Sequence, residues 1–277
     1  MSQSATRPLV GYAGVLAFVV LSGLAVTAGL WKVLTIGWVA FVAMAGASIP
    51  GKRAAASKHA GRLVWGYGLA AGAMVTSAAV FLLPQAFGFD PKIGGFGVAA
   101  GILLGFASHT VGHRLAHYDL PFDATTAHLT AHSLTAGLII GVVYAALPEL
   151  GLLLGLAIVS HKGPAGYAAA RRLATNGKST SVILLPAAGV GITAILSGLF
   201  ALPESATLNA AVFGFAAGIF LHIAMDFLPR CEVGGEVGEV AKLTDDAHAL
   251  LDRLRIHAVV STSIGAFAVF GAWLVVA

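Results

Sequence analysis

Residues 150–170 read LGLLLGLAIVSHKGPAGYAAA, with Ser160, His161, Lys162 and Pro164 set in the middle of an apolar run. Lysine is among the most costly residues to place in hydrocarbon. The fold depends on whether this run crosses a membrane, and the function on what the lysine holds or replaces.

The rest of the chain answers the first question. With 58% hydrophobic residues, 10% charged residues and a mean hydropathy of +0.89, 277 residues do not form a soluble domain. Runs free of charge and long enough to span a bilayer recur at 9–30, 33–50, 63–89, 93–113, 124–148, 150–170, 179–203, 205–225 and 256–277. A closed β-barrel would show short alternating segments instead. The runs therefore predict an all-α, polytopic membrane bundle of roughly nine helices. It is one transmembrane domain over 1–277, with no room for a soluble one. The boundary between the first two helices rests on Trp31 and Lys32 alone. The 9–30 run is longer than the apolar core of a secretory signal and only Arg7 precedes it, so it reads as a retained helix. A single cysteine, Cys231, excludes an intramolecular disulfide.

Basic residues orient the bundle. With alternating helices, one side receives Arg7, Lys52, Arg53, Lys58, Arg62 and Arg114. It also receives Arg171, Arg172, Lys178, Arg230, Lys242, Arg253 and Arg255, against Lys32 and Lys92 opposite. This predicts an integral, multi-pass protein of the cell membrane, N-terminus cytoplasmic and C-terminus outside. The pI near 9.4 then reflects topology, with no nucleic-acid partner needed. Two cytoplasmic stretches stand out, HRLAHYDLPFDATTAH (113–128) and the acid-rich loop 230–255. The loop reads as a solvated connector. Its second half predicts a short surface helix opening near Thr244, with Asp245 and Asp246 in the first turn. AAGAMVTSAAVFLLP (70–84) also echoes AAGIFLHIAMDFLP (216–229), as repeated halves do in secondary transporters.

Ionisable groups inside the membrane are functional candidates. His109, His113 and His117 share one helix face, and His128 and His132 lie four apart. His161 and Lys162 are adjacent; His222 and Asp226 are four apart, where a carboxylate can hold an imidazole or share a metal. Helical histidine pairs suit a divalent transition metal, although a single membrane histidine more often bonds a neighbouring helix. Pro50, Pro84, Pro148, Pro203 and Pro229 fall at expected helix ends, whereas Pro164 and Pro186 fall inside spans and predict kinks. A kink at Pro164 frees backbone near Ser160 and His161. Broken helices at mid-membrane are where transporters place substrates.

At these motifs the chain resembles the ZIP family of divalent metal-ion transporters, in a divergent, prokaryotic-type form. AHSLTAGLIIG (131–141) is similar to that family's H-N-x-P-E-G segment and SHKGPAGYAAA (160–170) to its H-E-x-P-E-G segment. VFLLPQAF (80–87) resembles its first-half L-x-P segment, and AAGIFLHIAMDFLPR (216–230) its penultimate helix. The likeness covers eight core helices from about residue 33 to the end, with 9–30 as an extra one. It implies a zinc or related divalent cation as transported substrate, with no prosthetic group. It also implies a two-metal site between the two motif helices, and a homodimer moving transport helices against a scaffold. By this resemblance His132 and His161 are metal ligands, and Met74 a thioether ligand. The motif glutamates are replaced by Ala136 and Ala165, the asparagine by Ser133 and an acidic ligand by Lys162. A further family glutamate aligns with Leu185.

A charged lysine about 5 Å from a divalent ion opposes it by roughly 6–7 kcal/mol at an effective dielectric of 20, about five decades of affinity. A second metal beside protonated Lys162 is therefore not expected. The lysine instead reads as a tethered cation in the vacated second site, bonded to Ser133, or as an amine that sheds its proton as metal arrives. What remains is neutral: His132, His161 and Met74, a set that favours zinc or copper over calcium or magnesium. His222 and Asp226 either complete the site or form a structural clamp, and the clamp is the reading we favour. His109, His113 and His117 face the cytoplasmic exit, to receive released metal or to bond neighbouring helices.

Enzyme readings find little here. The nearest stretch to H-E-x-x-H, HLTAH (128–132), lacks the glutamate, and no phosphate loop, nucleophile elbow or redox motif occurs. The competing expectation is a related scaffold that moves another substrate or senses metal without transport.

Overall fold

In the computed structural model, residues 3–56, 60–115, 124–148, 151–159, 161–200, 205–229, 231 and 247–276 are described, and these contain helices and no strand. In chain order they are α1 Gln3–Thr27, α2 Trp31–Arg53, α3 Ala60–Ser77, α4 Leu83–Phe89, α5 Pro91–Leu115 and α6 Ala124–Ala146. Then follow α7 Leu152–Val159, α8 Lys162–Thr175, α9 Leu184–Gly198, α10 Ala206–Phe227 and α11 Ala247–Val276.

Among the described residues, seven helical stretches are long and apolar enough to cross a membrane, which describes a multi-pass helical bundle. The expected 93–113 run appears as α5, whose apolar part Pro91–Ala107 is shorter. The expected 150–170 run is broken into α7 and α8. The boundary left to Trp31 and Lys32 is a real turn. Gly29 has φ 73°, and the N–H of Leu30 reaches back to the carbonyl of Ala25. That left-handed position costs glycine nothing.

Prolines correct several expectations. Pro164 does not kink a continuing helix; it is the third residue of α8, in a first turn where a missing N–H costs little. Pro186 sits likewise in the first turn of α9, after a 3₁₀ turn at Thr180–Ile183. Pro84 does not end its span. A π turn at Ala78–Leu82 leads into α4, of which Pro84 is the second residue, so the rod is continuous from Ala60 to Phe89. Pro50 likewise lies inside α2. The short surface helix expected from Thr244 is also corrected. The chain is helical from Ala247 straight through the last span, while Thr244, Asp245 and Asp246 lie outside the described residues.

Small residues let helix backbones meet. A Cβ on Gly137 or Gly141 of α6 would overlap the carbonyls of Val190 or Ala194 on α9. Thr193 and Ser197 of α9 donate hydroxyl hydrogen bonds at 2.7 and 3.1 Å to the carbonyls of Leu134 and Leu138. Gly101 of α5 faces Phe215 and Gly218 of α10, and Gly68 and Gly72 of α3 face Ser261 and Thr262 of α11. In each pair the residue numbers rise together, so the helices are parallel. Because α6 and α9 are parallel, α7 and α8 together carry the chain back once.

These pairings divide the helices into two groups. One contains α2, α6, α8 and α9, with α1 against α9; the other contains α3, α4, α5, α10 and α11. They meet where α6 touches α5 and α10 and where α3 touches α7 and α8. A Gly101→Val change would press side-chain carbon into the Phe215 carbonyl and force α5 from α10. We expect a loss of about 1–3 kcal/mol, read as a lower melting temperature by circular dichroism, and no loss would refute this packing.

A smaller apolar cluster closes the ends of α3 and α11, where Cys231 packs with Leu63, Leu251 and Leu254. Burial pushes the Cys231 thiol up, and the Arg255 guanidinium draws it partly back. A raised thiol stays protonated and unreactive at neutral pH. Maleimide labelling should be roughly tenfold or more slower than after unfolding in denaturing detergent, and should speed up as pH rises. Equal rates before and after unfolding would contradict this burial.

Candidate metal site

The site forms where α7 stops and α8 starts. Tyr144 of α6 donates its hydroxyl to the Gly151 carbonyl at 2.8 Å and accepts from the Gly155 N–H at 3.1 Å, tying α7 to α6. Lys32, at the start of α2, donates to the Pro148 carbonyl at 2.7 Å and fixes the turn between them. His161 then precedes the first residue of α8 and its carbonyl accepts from the Ala165 N–H at 3.0 Å.

This places His161 against His132 of α6, with Nε2 to Nε2 at 3.1 Å and the rings edge-to-face at 5.3 Å. Whichever ring carries the Nε2 proton donates it to the other. His161 is fully buried and His132 partly buried. Phe227, the last residue of α10, lies edge-on to His161 at 5.6 Å, and Tyr67 of α3 edge-on to Phe227 at 5.5 Å. The imidazole pair therefore sits at the boundary between the two helix groups.

Lys162 is fully buried, and its Nζ donates to the equally buried Ser133 hydroxyl at 3.5 Å, a long contact. It is the first residue of α8, whose first turn holds no acid and receives no side-chain cap. A cation there adds to the positive end of the helix dipole.

The other expected residues fall elsewhere. Met74 is fully buried in the main apolar core. Ala165 packs with Met44, Leu173 and Ile183, and Leu185 approaches α1 at Gly14, so a carboxylate at either place would enter apolar surroundings. His222 Nε2 lies 3.5 Å from Asp226 Oδ2 on α10, and its ring is seated over Gly105 of α5. At 100° per residue, His222 and Asp226 point 140° and 100° away from Phe227 around α10. They are thus turned away from the imidazole pair, as a clamp on α5 requires. Among the described residues, no group of three or more His, Cys, Asp and Glu is placed to hold one ion. His109 and His113 belong to α5, but their side chains, that of His128, and all of Ser160 and His117 lie outside the described residues.

No protein-family model matches the chain, and no curated protein matches it either.

Sequence reasoning missed the two aromatic contacts. Phe227 and Tyr67 sit in apolar runs where an aromatic residue carries no signal, and only the packing of α10 and α3 brings them to the break.

Proposed function

We propose that this protein is a secondary transporter of zinc or a related divalent transition-metal cation, with His132 and His161 as the neutral centre of its site. The observation that carries the reading is the 3.1 Å approach of two Nε2 atoms from different helices, beside a break in one of them. Two imidazoles bound to one tetrahedral zinc at about 2.0–2.1 Å stand about 3.3 Å apart, so a slight opening admits the ion. Backbone breaks inside a membrane bundle are tolerated where they line a cavity or a site.

Support for transport comes from the division into two helix groups with the pair at their boundary. It fits the ZIP resemblance, in which transport helices move against a scaffold. In this reading α7 and α8 form one broken span. The chain then crosses nine times, with a cytoplasmic N-terminus, an outer C-terminus and the cell membrane as its place; two copies form a homodimer. The protein has no catalytic role.

The test is zinc uptake into proteoliposomes followed with an internal fluorescent reporter. Saturable zinc flux is expected. Absence of flux with zinc, manganese, iron and copper would refute transport of these metals.

A second reading has its own observation. The uncapped start of α8, carrying Lys162 and no acid, is electropositive and favours an anion. On that reading the same scaffold moves a non-metal solute, and electrogenic uptake that ignores added metal would decide for it.

A further inference from the structure

A cavity of about 520 Å³ lies between the end of α2, the start of α3 and the first turns of α8. Arg53 and Arg62 line it from two different helices, with the rings of Tyr67 and Tyr167, Leu63 and Pro164 as walls. Its size is that of a small-molecule site. Among the described residues neither guanidinium has an ion-pair partner, and the one carboxylate pairing with an arginine, Asp252, holds Arg255 at 2.8 Å. Arg171 closes the same end of the bundle, its Nε donating to the Ala54 carbonyl at 3.4 Å.

Two fixed positive charges repel a metal cation, so this cavity is no natural exit for one. They suit a phosphate, which arginine binds through paired N–H donors. The remaining wall is apolar or aromatic, and it lies at the ends of membrane helices where tyrosines meet headgroups. A freely soluble anion has no use for that wall. A lipid does, because its phosphate meets the arginines while its glycerol and first methylenes lie on Leu63, Pro164 and the tyrosine rings. Basic pockets between transmembrane helices on the positive side of a bundle are known places for anionic headgroups.

We propose that this cavity binds the phosphate headgroup of an anionic membrane phospholipid. The lipid bridges α2 and α8 of one helix group to α3 of the other. It rests on Tyr67, whose ring is the second in the aromatic chain leading to His161. The inference stands apart from the metal reading, since it uses neither imidazole.

The experiment is native mass spectrometry of the full chain in detergent, titrated with phosphatidylglycerol or with phosphatidylcholine. Glycerol 3-phosphate serves as the soluble competitor. The wild type is expected to retain one phosphatidylglycerol in preference to phosphatidylcholine. At about 1 kcal/mol per arginine, the Arg53→Gln/Arg62→Gln double variant should bind it about 30-fold more weakly. Arg53→Lys/Arg62→Lys, which keeps the charges, should retain most of the binding. An unchanged melting temperature shows that the glutamine variant is folded. Retention of phosphatidylglycerol by that folded variant as by the wild type would overturn the proposal. So would glycerol 3-phosphate binding as tightly as the lipid, because the site would then be one for soluble anions.

Discussion

Zinc binding should be lost when His132 and His161 are both replaced. Each single alanine variant is expected to weaken zinc at least about 100-fold, since even residues that only orient a metal ligand are worth 10–100-fold. The double variant should show neither saturable binding by calorimetry nor flux in proteoliposomes. The two rings touch each other and His161 also touches Phe227, so alanine removes packing as well as nitrogen. Glutamine variants separate the two effects. They preserve a hydrogen-bonding side chain of similar reach and should keep a near-native melting temperature while still failing to bind zinc. Wild-type binding should also fade in acid, because a protonated imidazole cannot ligate. If the double glutamine variant transports zinc with unchanged half-saturation, the pair is a structural hydrogen bond and the proposed site is wrong.

The reason this pair was legible in advance is local. His132 and His161 each lie in a polar interruption of an apolar run, and such interruptions are rare enough to stand out. The bundle was legible for the same reason, since hydropathy is a property of each segment alone. What segments do not carry is the meeting of distant helices. Tyr67 reaches Phe227 across 160 residues of sequence, and nothing in either run marks the contact. Cues for the ends of elements failed differently. Pro164 signalled a break near His161 but not its form, because proline is as comfortable in the first turn of a new helix as at a kink. The 230–255 loop and the last span read as separate because hydropathy changes between them. A helical backbone has no reason to stop at such a change, and α11 does not. His222 and Asp226 were visible as a pair four apart; that they turn away from the break follows only from where Phe227 points.

Lys162 should oppose the metal, and removing its charge should strengthen zinc binding. A unit charge about 5 Å from a divalent ion is worth at most roughly 6–7 kcal/mol at an effective dielectric of 20. Loss of its proton or withdrawal of the chain would reduce that figure. A tenfold or larger gain in zinc affinity at neutral pH for Lys162→Met is therefore the expected result, with a shallower dependence on pH. Methionine is the better probe than alanine because Lys162 is fully buried, and alanine would leave a cavity of its own. Stability should move the same way. The lysine makes only a 3.5 Å bond to Ser133 and sits at the positive end of α8, so little favourable interaction is lost. Apolar replacement of buried charge is often neutral or stabilising by about 1–4 kcal/mol. A melting temperature at or above that of the wild type is expected. On the reading proposed above, a protonated Lys162 would hold the place of a second metal. Should Lys162→Met alter neither zinc affinity nor its pH dependence, the lysine is not a tethered cation, and the positive start of α8 would count instead towards an anionic substrate.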